Sequence, residues 1–154
     1  MKKHLITLII AFIGITFFSC TKSDTREYYV GNYNLNVQGT LTMKTPDGSK
    51  RSIIVNASDL QMDIEKNPSD KNSVYLKGYY EGNATINKSS IYISPLTIID
   101  TIDDIRMTLN ITPEKGMLNA DGILTFDAAI TGVAEYEFST NDIEGTFHNS
   151  AVKQ

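Results

Sequence analysis

The sequence predicts an all-β domain whose strands follow one another as an antiparallel up-and-down meander. Residues 29–44 alternate strictly between apolar and polar side chains, and shorter segments of the same kind recur between turn residues. No long amphipathic helical pattern interrupts them. A meander of eight or more strands has two unpaired edges unless its ends pair. A closed eight-stranded barrel is therefore the expected architecture, with a β-sandwich as the alternative.

The chain begins with a segment that has the pattern of an export signal. Lys2 and Lys3 precede a nearly unbroken apolar run at 5–18, and Ser19 lies directly before Cys20. The run is shorter than the roughly 20 residues of a membrane-spanning helix, but it suits the apolar core of a signal peptide. The segment resembles a bacterial lipoprotein signal of the Bacteroidota type.

This resemblance implies a signal peptide at 1–19 and a tether at 20–27 that is lipidated on Cys20, and the strand pattern predicts a β domain at 28–150. It also implies a protein of the cell envelope, anchored in the outer membrane through acyl chains and exposed to either the periplasm or the cell surface. Several acyl chains anchor a protein stably, whereas one binds reversibly. The membrane is thus the first expected partner.

Composition limits the function further. Removing 1–19 leaves 135 of the 154 residues, enough for one domain with a sizeable core. Cys20 is the only cysteine, so the domain must fold without disulfides. Loss of Lys2 and Lys3 changes the formal net charge from −4 to −6. Without a basic stripe, nucleic acid is not an expected partner.

The first half of the domain reads as alternating strands and turns. We predict a long first strand at 29–44, a turn at 46–49 and a return strand at 50–56. Further strands are predicted at 60–65, 73–80, 84–87 and 91–94, with a loop at 67–72 and a turn at 81–83.

The second half is less regular. The apolar residues of 95–104 fit neither the strand nor the helix period, so a helical turn and an irregular closing loop are both open. We then predict a strand at 105–112, a hairpin turn at 113–116, a long strand from 118 towards 139, a turn at 141–142 and a last short strand at 143–147. The total is nine or ten strands.

The opening of the first strand carries a second resemblance. Val30-Gly31-Asn32-Tyr33 resembles the start of calycin-like (lipocalin-like) barrels, which begin with Gly-x-Trp, and Tyr33 stands where Trp is usual. The same opening with Tyr is familiar from lipocalin-like lipoproteins of the Bacteroidota. The resemblance implies a barrel whose floor is closed by Tyr33 and a function in binding a small ligand.

Catalytic and metal chemistry have little support in the sequence. His148 is the only histidine after the signal, and it falls in a predicted edge strand or tail. One His and no free Cys cannot form a closed zinc site. We expect no enzyme activity, no metal and no cofactor.

Carboxylates offer two weaker alternatives. Glu135 and Glu137 lie two apart on one strand face, a spacing within the range of glycosidase pairs, but such pairs are usually the wet face of a strand. Asp100, Asp103 and Asp104 offer oxygen ligands that suit Ca²⁺, although the spacing is not that of an EF-hand and a solvated loop is the simpler interpretation.

Large apolar side chains on the predicted inner faces are the best candidate site. A barrel of eight strands is either filled by side chains or holds one small ligand. The large apolar residues favour a packed core, which is the simpler interpretation, whereas glycines such as Gly39 and Gly132 favour space. The expected function is non-catalytic binding of a small, apolar ligand. The alternative is an accessory lipoprotein that binds a glycan or an envelope protein through outward Tyr75, Tyr79 and Tyr92. The candidate ligand-binding residues are Tyr33, Met62, Tyr80, Met107, Phe126 and Tyr136.

Overall fold

The computed structural model describes residues 23–102, 105–136 and 139–154, with only the backbone described at 102 and 136. The predicted signal peptide, Cys20, Asp103, Asp104 and Glu137 lie outside these residues. So does the side chain of Tyr136.

The described residues form one short helix and ten strands. A 3₁₀ helix at Thr25–Tyr28 precedes strand β1. The strands are β1 (Gly31–Lys44), β2 (Lys50–Lys66), β3 (Ser73–Gly78), β4 (Gly82–Asn87), β5 (Ser90–Ile93), β6 (Leu96–Ile102), β7 (Ile105–Pro113), β8 (Lys115–Leu118), β9 (Ile123–Tyr136) and β10 (Ser139–Lys153).

All strand pairings between described residues are antiparallel, and most join consecutive strands. The sheet order is β10-β1-β2-β3-β4-β5-β8-β9-β7-β6, and β10 also pairs with β9. Strands β1, β2, β3, β4, β5, β8, β9 and β10 therefore form a closed ring. The prediction of an all-β antiparallel meander is confirmed.

The ring closes through a long ladder between its first and last strands. The β1–β10 register runs from Tyr33 opposite Lys153 to Lys44 opposite Asp142. Beyond the ring, β7 continues the line of β8 along β9, and β6 pairs with β7. The result combines a closed ring with an open edge, and so lies between a regular barrel and a two-sheet sandwich.

The sheet has two open edges, one on β2 and one on β6. Among the described residues, the first half of β2 pairs only with β1, because β3 begins its pairing at Met62 opposite Gly78. Strand β6 pairs only with β7. Each edge carries an exposed isoleucine, Ile54 on β2 and Ile99 on β6.

Several predicted turns are strands in the structure. The segment 95–104 was left open between a helical turn and a loop, and both were wrong because 96–102 is β6. The apolar and polar side chains of β6 do not alternate regularly. Apolar Ile99 is 61 % exposed, whereas polar Asp100 lies on the inner face, opposite inward Met107.

The hairpin turn predicted at 113–116 was also wrong. Strand β8 continues antiparallel to β9 after β7, and the register shifts by one residue around Glu114, whose backbone N–H donates to the carbonyl of Asp127. The actual turn lies at 119–122, where Gly122 has a φ of +76°. Likewise, no turn forms at 141–142, because both residues belong to β10 and Asn141 pairs with Ala134 of β9.

The core fills the interior of the ring. Buried apolar side chains from every strand except β6 and β8 meet there, and Leu96, Ile98 and Leu118 from these two pack against them. The glycines do not open space, contrary to expectation. A Cβ at Gly39 would lie 2.1 Å from the carbonyl oxygen of Thr146, and one at Gly132 would lie 2.1 Å from that of Thr108. These glycines allow neighbouring backbones to approach closely where the sheet curves.

This close approach predicts a stability effect at Gly132. Gly132→Ala forces β9 away from β7 and lowers the free energy of unfolding by about 1–3 kcal/mol, the usual cost of overpacking. Urea denaturation measures the change. Thr131→Ala, on the exposed face of the same strand, is the matched control and should change stability by less than about 0.5 kcal/mol. Equal effects of the two substitutions would contradict this role for Gly132.

Candidate functional site

The two ends of the ring differ. At one end lie the β1–β2 turn and the first residues of β7 and β10; we call it the mouth. At the other end the 3₁₀ helix lies against the start of β1; we call it the capped end. Tyr29, which follows the helix, is 2 % exposed and belongs to the core.

The sequence-predicted ligand residues lie in the core. Tyr33, Met62, Tyr80, Met107 and Phe126 are all buried in a single apolar cluster. None of them lines the mouth cavity described below. Whether they contact a ligand stays a prediction.

Two of these tyrosines are held by hydrogen bonds. The Tyr33 hydroxyl donates to the backbone carbonyl of Tyr29 at 2.7 Å. The Tyr80 hydroxyl donates to Oδ1 of Asn149 at 2.8 Å, and Asn149 Nδ2 donates to the carbonyl of Phe126 at 3.3 Å. The ring of Tyr80 also packs edge-on against Phe126 and Tyr79. The hydroxyls of Tyr33 and Tyr80 and the side-chain amide of Asn149 thus all have hydrogen-bond partners inside the core.

The mouth holds a cavity of about 630 Å³. Its walls come from three places in the sequence: the β1–β2 hairpin, the start of β7 and the start of β10. Met43 and Ile105 supply apolar surface and are almost fully buried. The lining residues are Met43, Thr45, Pro46, Asp47, Ser49, Arg51, Ile105, Ser139 and Asn141.

Asn141 is the unusual residue of this cavity. It is only 4 % exposed, and its Nδ2 donates weakly to Oγ of Ser139 at 3.4 Å. Its buried Oδ1 has no hydrogen-bond partner in the part of the chain that the structure describes. A buried amide oxygen without a partner costs about 1–3 kcal/mol, so a small rotation of this side chain that brings Oδ1 to a donor in the cavity would be favourable.

The rim of the mouth is charged. Arg51 lies opposite Met43 in the β1–β2 ladder and makes no ion pair with another described residue. Across the rim, a hydrogen bond from the Thr45 hydroxyl, with others from Ser49, lowers the pKa of Asp47 to about 2. Asp47 is therefore negatively charged at neutral pH, and the rim carries both this charge and the positive charge of Arg51.

A second, smaller cavity lies at the capped end. It measures about 310 Å³ and is formed by the 3₁₀ helix together with the β4–β5 and β8–β9 turns, including Tyr28, Lys88 and Leu118. No buried polar atom without a partner lies in it among the described residues.

Among the described residues of the predicted carboxylate and histidine sites, Asp100, Glu135 and His148 do not line the mouth cavity. The Nδ1 of His148 and the Oδ1 of Asp127 are 2.7 Å apart on the outer face. The prediction of an edge strand for His148 was wrong, because β10 lies between β1 and β9. Glu135 is exposed and lies 3.8 Å from Arg106. Among the described residues, no three His, Cys, Asp or Glu side chains come together as a metal site.

The outward aromatic patch is only partly formed. Tyr92 is 45 % exposed on β5, and Met117 is exposed nearby on β8. Tyr79 was expected to point outwards, but this was wrong: β3 ends at Gly78, and Tyr79 packs against the core beside Tyr80.

Comparison with family models, curated proteins and solved structures finds no match to this chain. Within the described residues, no helix is long and apolar enough to cross a membrane.

The buried tyrosines predict a loss of stability at alkaline pH. Burial raises the pKa of Tyr33 to about 12 and also raises the pKa of Tyr80. An unfolded tyrosine has a pKa of about 10. Below pH 10 these tyrosines are protonated in both states, and their contribution to the free energy of unfolding is complete. Between pH 10 and about 12 only the unfolded chain loses the phenolic proton, so this contribution declines as the pH rises.

Urea unfolding at pH 9 and pH 11 measures this effect, and phenolate absorbance follows the ionisation. The midpoint should fall at pH 11 in the natural protein and should fall less in Tyr80→Phe. Tyr92→Phe, an exposed tyrosine, is the control. An unchanged pH dependence in Tyr80→Phe would contradict the assignment.

Proposed function

We propose that this chain is a non-catalytic binding module of the cell envelope, lipidated on Cys20, that takes a small and largely apolar ligand in the mouth of its ring. The membrane anchor follows from the resemblance of residues 1–20 to a lipoprotein signal. The fold class agrees with a calycin-like (lipocalin-like) binding protein, which is part of this proposal.

The observation that carries the proposal is Asn141, which lines a cavity of about 630 Å³ and whose buried Oδ1 has no hydrogen-bond partner among the described residues. Small-molecule sites commonly measure about 300–1,000 Å³ and combine apolar walls with a few placed polar groups. Met43 and Ile105 provide the apolar walls, and Asn141 provides an acceptor. The ligand would lie above the core residues, since Met107 is one inner-face position deeper than Ile105 along β7.

Two asparagines on one face of β10 allow a matched test. Asn141 and Asn149 are both buried, but only Asn149 has its Oδ1 hydrogen-bonded among the described residues. Asn141→Leu should raise the free energy of unfolding by about 1–3 kcal/mol, because it removes an unpaired polar atom. Asn149→Leu should lower it by a similar amount, because it leaves the Tyr80 hydroxyl and the Phe126 carbonyl unpaired.

Binding is measured with N-phenylnaphthylamine, an apolar fluorescent probe that carries one N–H donor. Asn141→Leu should weaken its binding by roughly two- to tenfold, the value of one hydrogen bond. Ile105→Trp, which fills the cavity, should abolish binding, whereas Ile99→Trp on the exposed face should not. Binding that survives Ile105→Trp unchanged would contradict the proposal, as would a loss of stability in Asn141→Leu.

A second candidate function is supported by the outer surface. Tyr92 and Met117 are exposed on neighbouring strands, and Ile54 and Ile99 are exposed beside the open edges of β2 and β6. An accessory lipoprotein that binds a glycan or an envelope protein would use such surfaces. Failure of the probe to bind any form of the protein would favour this candidate.

A further inference from the structure

We propose that the anchored protein stands on the membrane with its capped end against the lipid headgroups and its mouth directed away from the bilayer. This inference rests on the lipidation of Cys20 in the proposed function. It adds an orientation, which that function alone does not require, because a flexible tether would let the domain tumble.

The chain just after the predicted anchor is fixed to the domain by hydrogen bonds. Asp24 caps the 3₁₀ helix, and its carboxylate accepts hydrogen bonds from Arg26 Nε at 2.9 Å and Nη2 at 2.7 Å. Arg26 Nη1 donates to the backbone carbonyls of Asn67 and Asp70, both at 2.9 Å, in the β2–β3 turn. We call residues 24–28 the latch.

Further contacts hold the latch on both sides. Lys66, at the end of β2, pairs with Glu27 and lies 3.4 Å from Asp24. Lys153, at the end of β10, donates to the carbonyl of Tyr28 at 3.1 Å. The Arg26 guanidinium holds the pKa of the Asp24 carboxyl well below its usual range, so the pair stays charged at neutral pH. The second half of the predicted tether is therefore part of the folded domain.

The segment between Cys20 and Asp24 is too short to let the domain move far from the anchor. Only three residues separate Cys20 from Asp24. A fully extended chain covers at most about 3.6 Å per residue, so the two Cα atoms are at most about 14 Å apart. The acylated cysteine lies at the membrane surface, and the capped end must stay close to it.

The mouth lies at the opposite end of the ring from the latch. Strand β1 runs 14 residues from the capped end to the β1–β2 turn. At about 3.3 Å per residue and a typical strand tilt near 40°, the mouth stands about 35 Å from the capped end. A ligand would then enter from the aqueous side or from a partner protein, rather than directly from the bilayer.

Single cysteines test this orientation, because Cys20 has no free thiol once it is acylated. Ser89→Cys labels the capped end, in the β4–β5 turn, and Lys50→Cys labels the mouth; both residues are exposed. Each full-length acylated protein carries a fluorophore on the new thiol. It is reconstituted into phosphatidylethanolamine and phosphatidylglycerol vesicles that contain a headgroup nitroxide quencher.

The label at 89 should be quenched several-fold more than the label at 50. Arg26→Ala, which releases the latch, should reduce this difference, whereas Arg51→Ala at the mouth should leave it unchanged. Equal quenching at both positions, or stronger quenching at 50, in protein that floats with the vesicles would overturn the orientation while leaving the anchor intact. Protein that fails to float and lacks the acyl mass would overturn the anchor and the orientation together.

Discussion

The pairing of β1 with β10 is the constraint on which the rest of the structure depends. It joins the first and last strands of the meander over residues 33–44 and 142–153 and makes a ring from a sheet that would otherwise have two long edges. The inward side chains of both strands lie side by side on the same face and contribute to one core. The mouth exists only because this ladder brings Asn141 on β10 next to the β1–β2 hairpin.

The same closure separates a filled interior from an open end. Near the middle of the ring, Gly39 lies against the backbone of β10 and Gly132 against that of β7, which leaves no room for a side chain. Below this level, Tyr33 and Tyr80 fill the space and bury their hydroxyls in hydrogen bonds. Above it, polar and apolar residues share the mouth. The interior of the ring is thus a packed core, and the mouth cavity lies above it.

The sequence predicts the regular parts of this fold well. Strict alternation predicts β1 within two residues at its start, and the inward set of β7 follows the same rule. Prediction from the sequence failed where the residue types favour a turn but strand pairing imposes a strand. Asn141-Asp142 has the composition of a turn, but pairing with β9 holds both residues in a strand, and Asp142 also pairs with β1. Its inward alternation with Ile143, Phe147 and Asn149 was the signal that could have shown this.

The site was harder to predict than the fold for a physical reason. Tyr33, Met62 and Tyr80 have the composition of a ligand pocket, but that composition is equally typical of a core, and only packing decides between them. Asn141 becomes notable through its burial and through an oxygen that has no partner among the described residues, and neither property is visible in the sequence. The latch was missed because residues 21–27 have the polar composition of a free tether, whereas Arg26 reaches carbonyls more than 40 residues away.

The central claim is that the mouth carries a small ligand in the cell. Native mass spectrometry of the mature protein, extracted from its own membrane in mild detergent, tests it most directly. We expect a mass above that of the acylated polypeptide by one small molecule, which is released on activation and whose occupancy is reduced in Asn141→Leu. The mass of the acylated polypeptide alone, for both the natural protein and Ile105→Trp, would contradict it.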